Sequence, residues 1–140
     1  MFKPVIADLT AGASAERVVF LSGKVYYELL KEREERQLTE RVSLVRIEEL
    51  APFPFGHVEH VISNLYPNAS DFVWFQEEPR NQGAYGHVGA RIEGLLWSRG
   101  KGGLGLRYVG RRESAVPATG VGKLYREQQR KIIEAVFEGL

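Results

Sequence analysis

Hydrophobic residues along the chain fall into four short runs, and each run is followed by a stretch in which apolar residues recur every three to four positions. The runs occupy residues 17–21, 42–47, 72–75 and 104–109. Short runs rich in β-branched and aromatic residues are typical of buried strands, whereas recurrence every three to four positions is typical of helices that bury one face. The pattern therefore predicts four strand–helix units in succession.

The four predicted helices begin soon after the strands and span about residues 25–37, 54–65, 84–97 and 124–137. Short connections between alternating strands and helices favour parallel strands joined by right-handed crossovers. We therefore predict an α/β fold, a mostly parallel open sheet of four to five strands with helices on both faces. Because Trp74 lies in the third run, we expect it in the core, and we expect Trp97, at a helix end, to be more exposed.

The length of the chain bounds its domain organisation. A chain of 140 residues is long enough for one domain and too short for two of ordinary size. We assign residues 17–140 to a single α/β domain. Residues 1–16 are predicted to be a linker or N-terminal extension, because residues 10–15 are a run of small residues. Within that segment, residues 2–6 have the composition of an extended stretch.

Charge and composition narrow the classes of partner. The 19 Lys and Arg residues nearly balance the 18 Asp and Glu residues, so electrostatics favour neither nucleic acid nor an anionic membrane. Cysteine is absent, which excludes disulfides, thiolate metal sites and a cysteine nucleophile. No apolar run approaches the roughly 20 residues that span a bilayer. Lys3, Pro4 and Asp8 interrupt the region where a signal peptide would have its apolar core. We expect a soluble domain with no nucleic acid and no membrane among its partners.

In a parallel sheet, all strand-to-helix loops meet at the carboxyl ends of the strands, where open α/β proteins bind their ligands. The predicted loops are residues 22–24, 48–52, 76–83 and 110–122. They carry charges of both signs, which we expect to form a mutual network. The charged residues concerned are Lys24, Glu48, Glu49, Glu77, Glu78, Arg80, Arg111, Arg112, Glu113 and Lys123.

The loop after the third strand is the most distinctive. The apolar residues 72–75 give way abruptly to Gln-Glu-Glu-Pro-Arg-Asn-Gln-Gly at residues 76–83. Two interpretations of Glu77 and Glu78 stay open. They are solvated or ion-paired loop carboxylates, or they meet cationic groups such as Arg111 when this edge docks on another domain. The remaining docking candidates in the loop are Arg80, Asn81, Gln82 and Gly83. Asn81 and Gln82 are expected to satisfy backbone groups there.

The loop after the first strand consists of Ser22, Gly23 and Lys24. Glycine at such a turn allows a close approach of the backbone, and the free N–H groups of the following helix suit an anion beside Lys24. The long glycine-spaced segment of P-loop enzymes is missing. An anion site and an ordinary tight turn therefore remain the two interpretations.

No catalytic set emerges from the spacing of the other residues. His57 and His60 share a helical face, but a metal site would need further ligands that are not apparent in the sequence. There is no supported serine–histidine–acid arrangement and no glycine-rich dinucleotide fingerprint. We therefore assign no catalytic, cofactor-binding or metal-binding residue to this chain.

Four ordered motifs nevertheless resemble one family. They are VFLSGKVYY at residues 19–27, VRIEELAPFP at 45–54, QEEPRNQGA at 76–84 and YVGRRESAVPATG at 108–120. Together they are similar to the C-terminal domain of 2-oxoglutarate dehydrogenase, the thiamine-diphosphate-dependent decarboxylating component of its complex. The resemblance extends from about Phe2 to Phe137, and the paralogous dehydrogenase acting on 2-oxoadipate shares the motifs.

The resemblance implies a transketolase C-terminal-like fold and a structural or regulatory role. In this family two preceding domains hold thiamine diphosphate and magnesium and supply the acid–base histidines, so the isolated chain is expected to bind no cofactor and to be inactive. The implied partners are those preceding domains, a second copy of the parent enzyme and the dihydrolipoyl acyltransferase component of the complex. The implied location is the bacterial cytoplasm or the mitochondrial matrix.

Further functions remain as alternatives. Some relatives use an acyl-CoA site in this region for allosteric control, and by analogy Arg111 and Arg112 are candidates for its phosphate contacts, because arginine matches phosphate oxygens. A second alternative is an independent anion- or nucleotide-binding module that uses residues 22–24 with the same two arginines. A small self-contained enzyme built on Glu77 and Glu78 is the remaining alternative.

Overall fold

Five strands form one sheet in the computed structural model, which describes residues 3–8, 10–101, 103, 105–111 and 122–140. The order across the sheet is β1-β3-β2-β4-β5. Strands β2 to β5 run parallel to one another, and β1 runs antiparallel to β3. The predicted mostly parallel sheet of four to five strands is confirmed. The strands are β1 (Val5–Ala7), β2 (Arg17–Leu21), β3 (Val42–Ile47), β4 (Asp71–Pro79) and β5 (Leu106–Arg111).

The helices lie on both faces of this sheet, as predicted. They are α1 (Val25–Glu35), α2 (Phe55–His60), which continues into a π-helical turn (Val61–Leu65), α3 (Tyr85–Ser98) and α4 (Gly122–Val136). Buried residues of α2 and α3 share one apolar cluster, and those of α1 and α4 share the other. No helix in the described part of the chain is long and apolar enough to cross a membrane.

Alternation along the strands divides the core between these two faces. Phe20 and Trp74 point into the cluster with α2 and α3, whereas Val19 and Phe75 point into the cluster with α1 and α4. Successive side chains of a strand face opposite sides of the sheet, so a strand buried on both faces is apolar throughout. Trp74 is 1% exposed and Trp97 is 74% exposed, which confirms the prediction for both tryptophans.

Part of the N-terminal segment joins the sheet. Residues 5–7 form the edge strand β1, which pairs with β3. Asp8 anchors the end of this strand, because its carboxylate accepts a hydrogen bond from Arg33 and its carbonyl accepts bonds from Tyr66 and Ser43. The extended stretch expected within residues 2–6 is thus partly an edge strand of the sheet, which only its long-range pairing with β3 reveals. The division of the chain at residue 16 remains a prediction.

The path of the chain through the sheet creates a topological switch point. From β2 the chain passes through α1 to β3 on one side, then returns through α2 to β4 on the other side of β2. In open α/β sheets, the crevice outside the carboxyl ends of the strands at such a reversal is the usual place for ligand binding. The loops after β2 and β4, residues 22–24 and 80–84, lie at this position.

Candidate docking site at the carboxyl edge

The carboxyl edge comprises the carboxyl ends of β2 to β5 and the helix starts that follow them. Its main irregularity is in β4, which continues to Pro79 instead of ending before Gln76 as predicted. Pairing with β5 is regular up to Gln76 opposite Gly110 and resumes at Pro79 opposite Arg111. Glu77 and Glu78 therefore form a bulge with no partner on β5. Bulges of this kind re-aim side chains and are common beside functional sites.

Gln76 holds this bulge and the loop that follows it. Its side chain is buried, and its Oε1 accepts hydrogen bonds from Trp74 Nε1 at 2.9 Å and from the Tyr85 backbone N–H at 3.0 Å. Its Nε2 lies 2.9 Å from the Pro79 carbonyl and 2.7 Å from the Gln82 carbonyl. One amide thereby joins the core, the loop and the start of α3. Sequence analysis missed this role, although a lone amide directly after an apolar strand was a visible signal.

The rest of the loop follows from the position of Gln76. Gly83 has φ +66°, and a Cβ atom there would lie 3.2 Å from the Gln76 amide nitrogen, so the tight loop requires glycine. Asn81 and Gln82 have exposed side chains that make no hydrogen bond within the described residues. The expectation that these two side chains satisfy backbone groups in the docked domain stays a prediction. In this structure, Gln76 binds the loop carbonyls from below the loop.

Arg111 is engaged inside the edge. Its Nη1 donates to the Glu77 carbonyl, its Nη2 donates to Gln129 Oε1 at 2.8 Å, and its guanidinium carbon lies 4.6 Å from the centre of the Tyr125 ring. Gln129 in turn donates to the Glu77 carboxylate at 2.8 Å. Glu77 and Arg111 therefore do meet, through a backbone carbonyl and an intervening amide. Arg112 lies outside the described residues.

Arg80 and Glu78 have exposed side chains on the same loop. The guanidinium carbon of Arg80 lies 5.4 Å from the centre of the Tyr85 ring and 5.6 Å from that of Tyr108. Burial raises the pKa of Tyr108, so its hydroxyl stays protonated and donates to the Arg111 carbonyl at 2.6 Å. The two rings are themselves in contact, with centres 4.9 Å apart.

Ser22, Gly23 and Lys24 occupy the neighbouring loop at the switch point. Gly23 has φ +88° and, like Lys24, is exposed. No side chain caps the start of α1. Within the described residues, no hydrogen bond or ion pair joins these three to the β4 loop. The geometry is compatible with both predicted interpretations, a tight turn and an anion site.

Direct pairing of opposite charges is limited among the described residues of this edge. The ion pair found there joins Arg46 and Glu48 at 3.9 Å. Lys24, Glu78 and Arg80 have no ion-pair partner in the described part of the chain. These three residues show no such pairing, while Glu77 and Arg111 are linked through Gln129, so the network as a whole stays a prediction. Glu113 and the side chain of Lys123 lie outside the described residues.

Large apolar side chains are also exposed at the carboxyl edge. Tyr27 is 65% exposed, and the other three are between 40% and 48% exposed. All four lie near the start of a helix, and helix starts lie at this edge in a parallel α/β fold. Three of them belong to α1 and α4 on one face of the sheet and one belongs to α2 on the other, and exposed apolar groups are candidates for an interaction surface. These side chains are Tyr27, Phe55, Leu124 and Tyr125.

An open cleft of about 320 Å³ adjoins the edge between α1 and α4. An ion pair crosses it, in which Arg130 donates to both carboxylate oxygens of Glu32, and Gln129 donates to a Glu28 oxygen at 3.4 Å. Hydrogen bonds from Arg130 and Arg36 outweigh burial and lower the pKa of Glu32. The Arg130–Glu32 pair therefore joins the two helices across the cleft.

The described residues do not fit a diphosphate–magnesium group. Among them, no three His, Asp or Glu side chains come together in a way that could hold a metal ion. His57 and His60 border a separate groove with apolar residues of β1 and the π-helical turn. No reaction step is therefore derived through a bound cofactor for this chain. Its expected inability to bind thiamine diphosphate stays a prediction.

Known proteins resemble this chain over nearly its whole length. The family described as 2-oxoglutarate dehydrogenase C-terminal matches residues 1–137. The 2-oxoadipate dehydrogenase complex component E1 of Danio rerio is 42% identical over 138 residues, which are 97% of this chain and 14% of that protein. The 2-oxoglutarate dehydrogenase E1 component of Cupriavidus necator is 39% identical over 142 residues, with 99% of this chain and 14% of that protein covered.

A solved structure agrees with the fold. A split-gene transketolase, described as an inactive β4 tetramer, superposes with a TM-score of 0.63 and 15% sequence identity over 96% of this chain and 41% of that chain. The transketolase-like fold predicted from the motifs is thereby confirmed. The chain spans 14% of the length of the two curated relatives. On its match over residues 1–137, the chain belongs to the family of 2-oxoglutarate dehydrogenase C-terminal domains.

Proposed function

We propose that this chain is the C-terminal domain of a dehydrogenase that decarboxylates 2-oxoglutarate or 2-oxoadipate, and that its carboxyl edge packs on the cofactor-binding domains of the same enzyme. The observation that carries this proposal is the combination at one edge of exposed apolar side chains with charges that lack partners among the described residues. Surfaces of this composition fit a non-obligate or domain–domain interface, which has an apolar centre and a polar rim.

The chemistry of the enzyme then belongs to the remaining length of the polypeptide. The relatives are named E1 components, and this chain covers a small part of them. Thiamine diphosphate and magnesium would be bound in the preceding domains, where decarboxylation and acyl transfer to the lipoyl group of the acyltransferase component occur. This domain would support the dimer of the parent enzyme. Its site of action would be the bacterial cytoplasm or the mitochondrial matrix.

Removing the domain tests this function. We expect the complete enzyme to turn over 2-oxoglutarate or 2-oxoadipate with a dye acceptor, and the 140-residue chain alone to show no turnover. A polypeptide that lacks these residues should lose dimer stability and activity, and adding the separate chain should restore part of both. Turnover by the isolated chain, or full activity and dimerisation without it, would overturn the proposal.

Calorimetry tests the expected absence of cofactor binding. Titrating thiamine diphosphate and magnesium into the isolated chain should release no binding heat, because no metal-holding group occurs among the described residues. The complete enzyme is the positive control. Saturable micromolar binding by the isolated chain would place the cofactor here and contradict the assignment to the preceding domains.

The acyl-CoA site remains a separate prediction. Its Arg111 contact loses support, because both terminal nitrogens of that guanidinium donate to groups inside the domain. Calorimetry with coenzyme A and acetyl-coenzyme A, using the isolated chain and an Arg112→Gln variant, distinguishes this site from the docking role. Binding that Arg112→Gln abolishes would support regulation or an independent anion-binding module.

A further inference from the structure

We propose that Arg80, stacked against Tyr85 and Tyr108, recognises a carboxylate on the cofactor-binding domains of the same enzyme, the surface on which the carboxyl edge is proposed to pack. The inference rests on the proposed docking function and names the chemistry of the contact. It concerns one side chain on the loop between β4 and α3, which is the loop that Gln76 holds in place.

The first step is the position of the guanidinium. Arg80 lies within 6 Å of the centres of two tyrosine rings, at 5.4 Å and 5.6 Å, which is the range of a cation–π contact. Both rings pack against the core cluster that α2 and α3 cover, and the Tyr108 hydroxyl donates to the Arg111 carbonyl. A long flexible side chain is therefore held in one region of the surface before any partner arrives.

The second step is that Arg80 has no anionic partner. Most arginines of the described residues are engaged with carboxylates or carbonyls, as Arg17, Arg33, Arg107 and Arg130 are. Arg80 makes neither an ion pair nor a side-chain hydrogen bond within the described part of the chain. Its planar fork of five N–H donors remains available for two parallel hydrogen bonds to one oxyanion.

The third step is the choice between a carboxylate and a phosphate group. Glu77 and Glu78 precede Arg80 by three and two residues, and Glu78 has no cationic partner among the described residues. The two glutamates would repel a nearly dianionic phosphate, and a single arginine would have to offset that repulsion. A singly charged carboxylate is repelled less and matches the guanidinium fork. Glu78, two residues before Arg80, would in turn be complemented by a cationic group. The complementary surface therefore carries a carboxylate opposite Arg80 and a basic group opposite Glu78, an arrangement that fixes docking register.

The fourth step is rigidity. The loop that carries Arg80 is held by hydrogen bonds from Gln76 to the carbonyls of Pro79 and Gln82, and the Arg80 backbone N–H donates to the Arg111 carbonyl at 3.2 Å. A group that is already ordered loses less conformational entropy when it binds. Stacking on tyrosine and a fixed backbone together make Arg80 a pre-organised contact.

The 140-residue chain tests the chemistry of the site without its partner. In a ¹⁵N NMR titration at constant ionic strength, acetate should shift the Arg80 Nε–Hε resonance and the Gly83 amide more than inorganic phosphate does. Arg80→Gln should remove the response at Gly83. Arg107 is the matched control, because it is exposed but hydrogen-bonded to Asp71. Equal responses at Arg80 and Arg107, or a stronger response to phosphate, would overturn the proposal.

The complete dehydrogenase tests the contact itself. Arg80→Gln should raise the dissociation constant of the parent dimer by about tenfold or more, a factor that corresponds to about 1.4 kcal/mol. Arg80→Lys should have an intermediate effect, because it keeps the charge and loses the fork. Arg107→Gln should leave assembly unchanged. Values for Arg80→Gln within twofold of wild type would contradict the inference.

The two experiments separate failure of the inference from failure of the proposed function. If the complete polypeptide is no 2-oxo acid dehydrogenase but Arg80 still prefers acetate in the isolated chain, the anion-recognition chemistry stands and the docking function fails. If the enzyme assembles through this domain and Arg80→Gln assembles as wild type does, the docking function stands and Arg80 has no part in it.

Discussion

The two edges of the sheet treat their charges in opposite ways. At the amino edge, where the strands begin, Asp71 accepts hydrogen bonds from both Arg17 and Arg107, and Arg41 pairs with Glu16. These groups belong to β2, β4, β5 and the residue before β3. These charged groups therefore have their partners within the chain.

The carboxyl edge instead uses side chains to bind its backbone carbonyls and leaves several charged side chains without an ion-pair partner among the described residues. Gln76 and Arg111 bind the carbonyls of the bulge and its loop, while Lys24, Glu78 and Arg80 have no ion-pair partner in the described part of the chain. Exposed surface ion pairs contribute only about 0–1 kcal/mol, so stability alone gives little reason to pair them. Rigid backbone with open charges and exposed apolar groups is what a docking surface requires.

Trp97 is an exception to this division. It lies near the end of α3, on the amino side, and is 74% exposed. A single exposed aromatic residue is common on protein surfaces. The four apolar side chains at the carboxyl edge differ in being grouped at the starts of three helices.

The largest effect that would sharpen this contrast is expected from Arg17→Met. Arg17 is 7% exposed and donates to Asp71 and to the Val136 carbonyl at the end of α4. Its removal leaves the buried Val136 carbonyl without its donor and leaves the partly buried Asp71 with Arg107 alone, so the free energy of unfolding in urea should fall by about 2–3 kcal/mol. Arg41→Met, in an exposed pair, is the control and should cost less. Equal losses would show that burial does not strengthen the pairs of the amino edge.

A slightly smaller loss is expected for Gln76→Leu at the carboxyl edge. The substitution keeps the volume but leaves Trp74 Nε1 and the Tyr85 N–H without their acceptor. We expect a loss of about 2 kcal/mol and faster hydrogen exchange at the Tyr85 amide. The exposed control Gln82→Leu should change neither quantity. Unchanged exchange in Gln76→Leu would mean that the loop holds its shape without the amide.

The pH dependence of the amino edge is the third expectation. Burial alone would raise the pKa of Asp71, but the hydrogen bond from Arg107 and the charge of Arg17 together lower it. An aspartate whose folded pKa is depressed stabilises the fold above its unfolded pKa of about 3.9 and loses this contribution as pH falls through the folded value. Urea melts should therefore show the difference between wild type and Asp71→Asn narrowing from pH 6 to pH 3. A constant difference would exclude the ionised carboxylate as its source.

The smallest effect on this chain is expected from Glu78→Ala. Glu78 is exposed and unpaired among the described residues. The free energy of unfolding, measured by a thermal melt, should therefore change by no more than about 0.5 kcal/mol. In the complete enzyme the same substitution should weaken dimer association or turnover, because removing a docked carboxylate leaves the cation opposite it without a partner. A parent enzyme that is as active and as dimeric as wild type would favour the solvated-loop interpretation of this residue.

Much of the fold was accessible from local pattern. The strands at residues 17–21 and 42–47 have the predicted bounds, and each helix begins within two residues of its expected start. Strand and helix periodicity is carried by neighbouring residues, so a sequence displays it directly. For β1 the sequence indicated only an extended stretch, because three residues at a sheet edge carry too little pattern to distinguish a strand from a linker.

The candidate site was accessible only as a set of loops. Parallel strands place those loops at one edge, which sequence reasoning used, but the roles within the set came out differently. Arg111 points back into the domain, Asn81 and Gln82 support nothing within the described residues, and Gln76 supports the loop instead. Such roles depend on which side chains become neighbours, and no local rule supplies that.

By itself, the sequence determined the class of fold, the succession of strands and helices, the burial of Trp74 and the family, because these depend on periodicity, hydrophobicity and ordered motifs. Tertiary structure alone decided the strand order with its switch point between β2 and β4, the bulge at Glu77 and Glu78, and the isolation of Arg80 on two tyrosine rings. The physical reason is distance along the chain. Residues 28 apart, such as Arg80 and Tyr108, become neighbours only when two strands pair in one register, and that register is a property of the packed sheet.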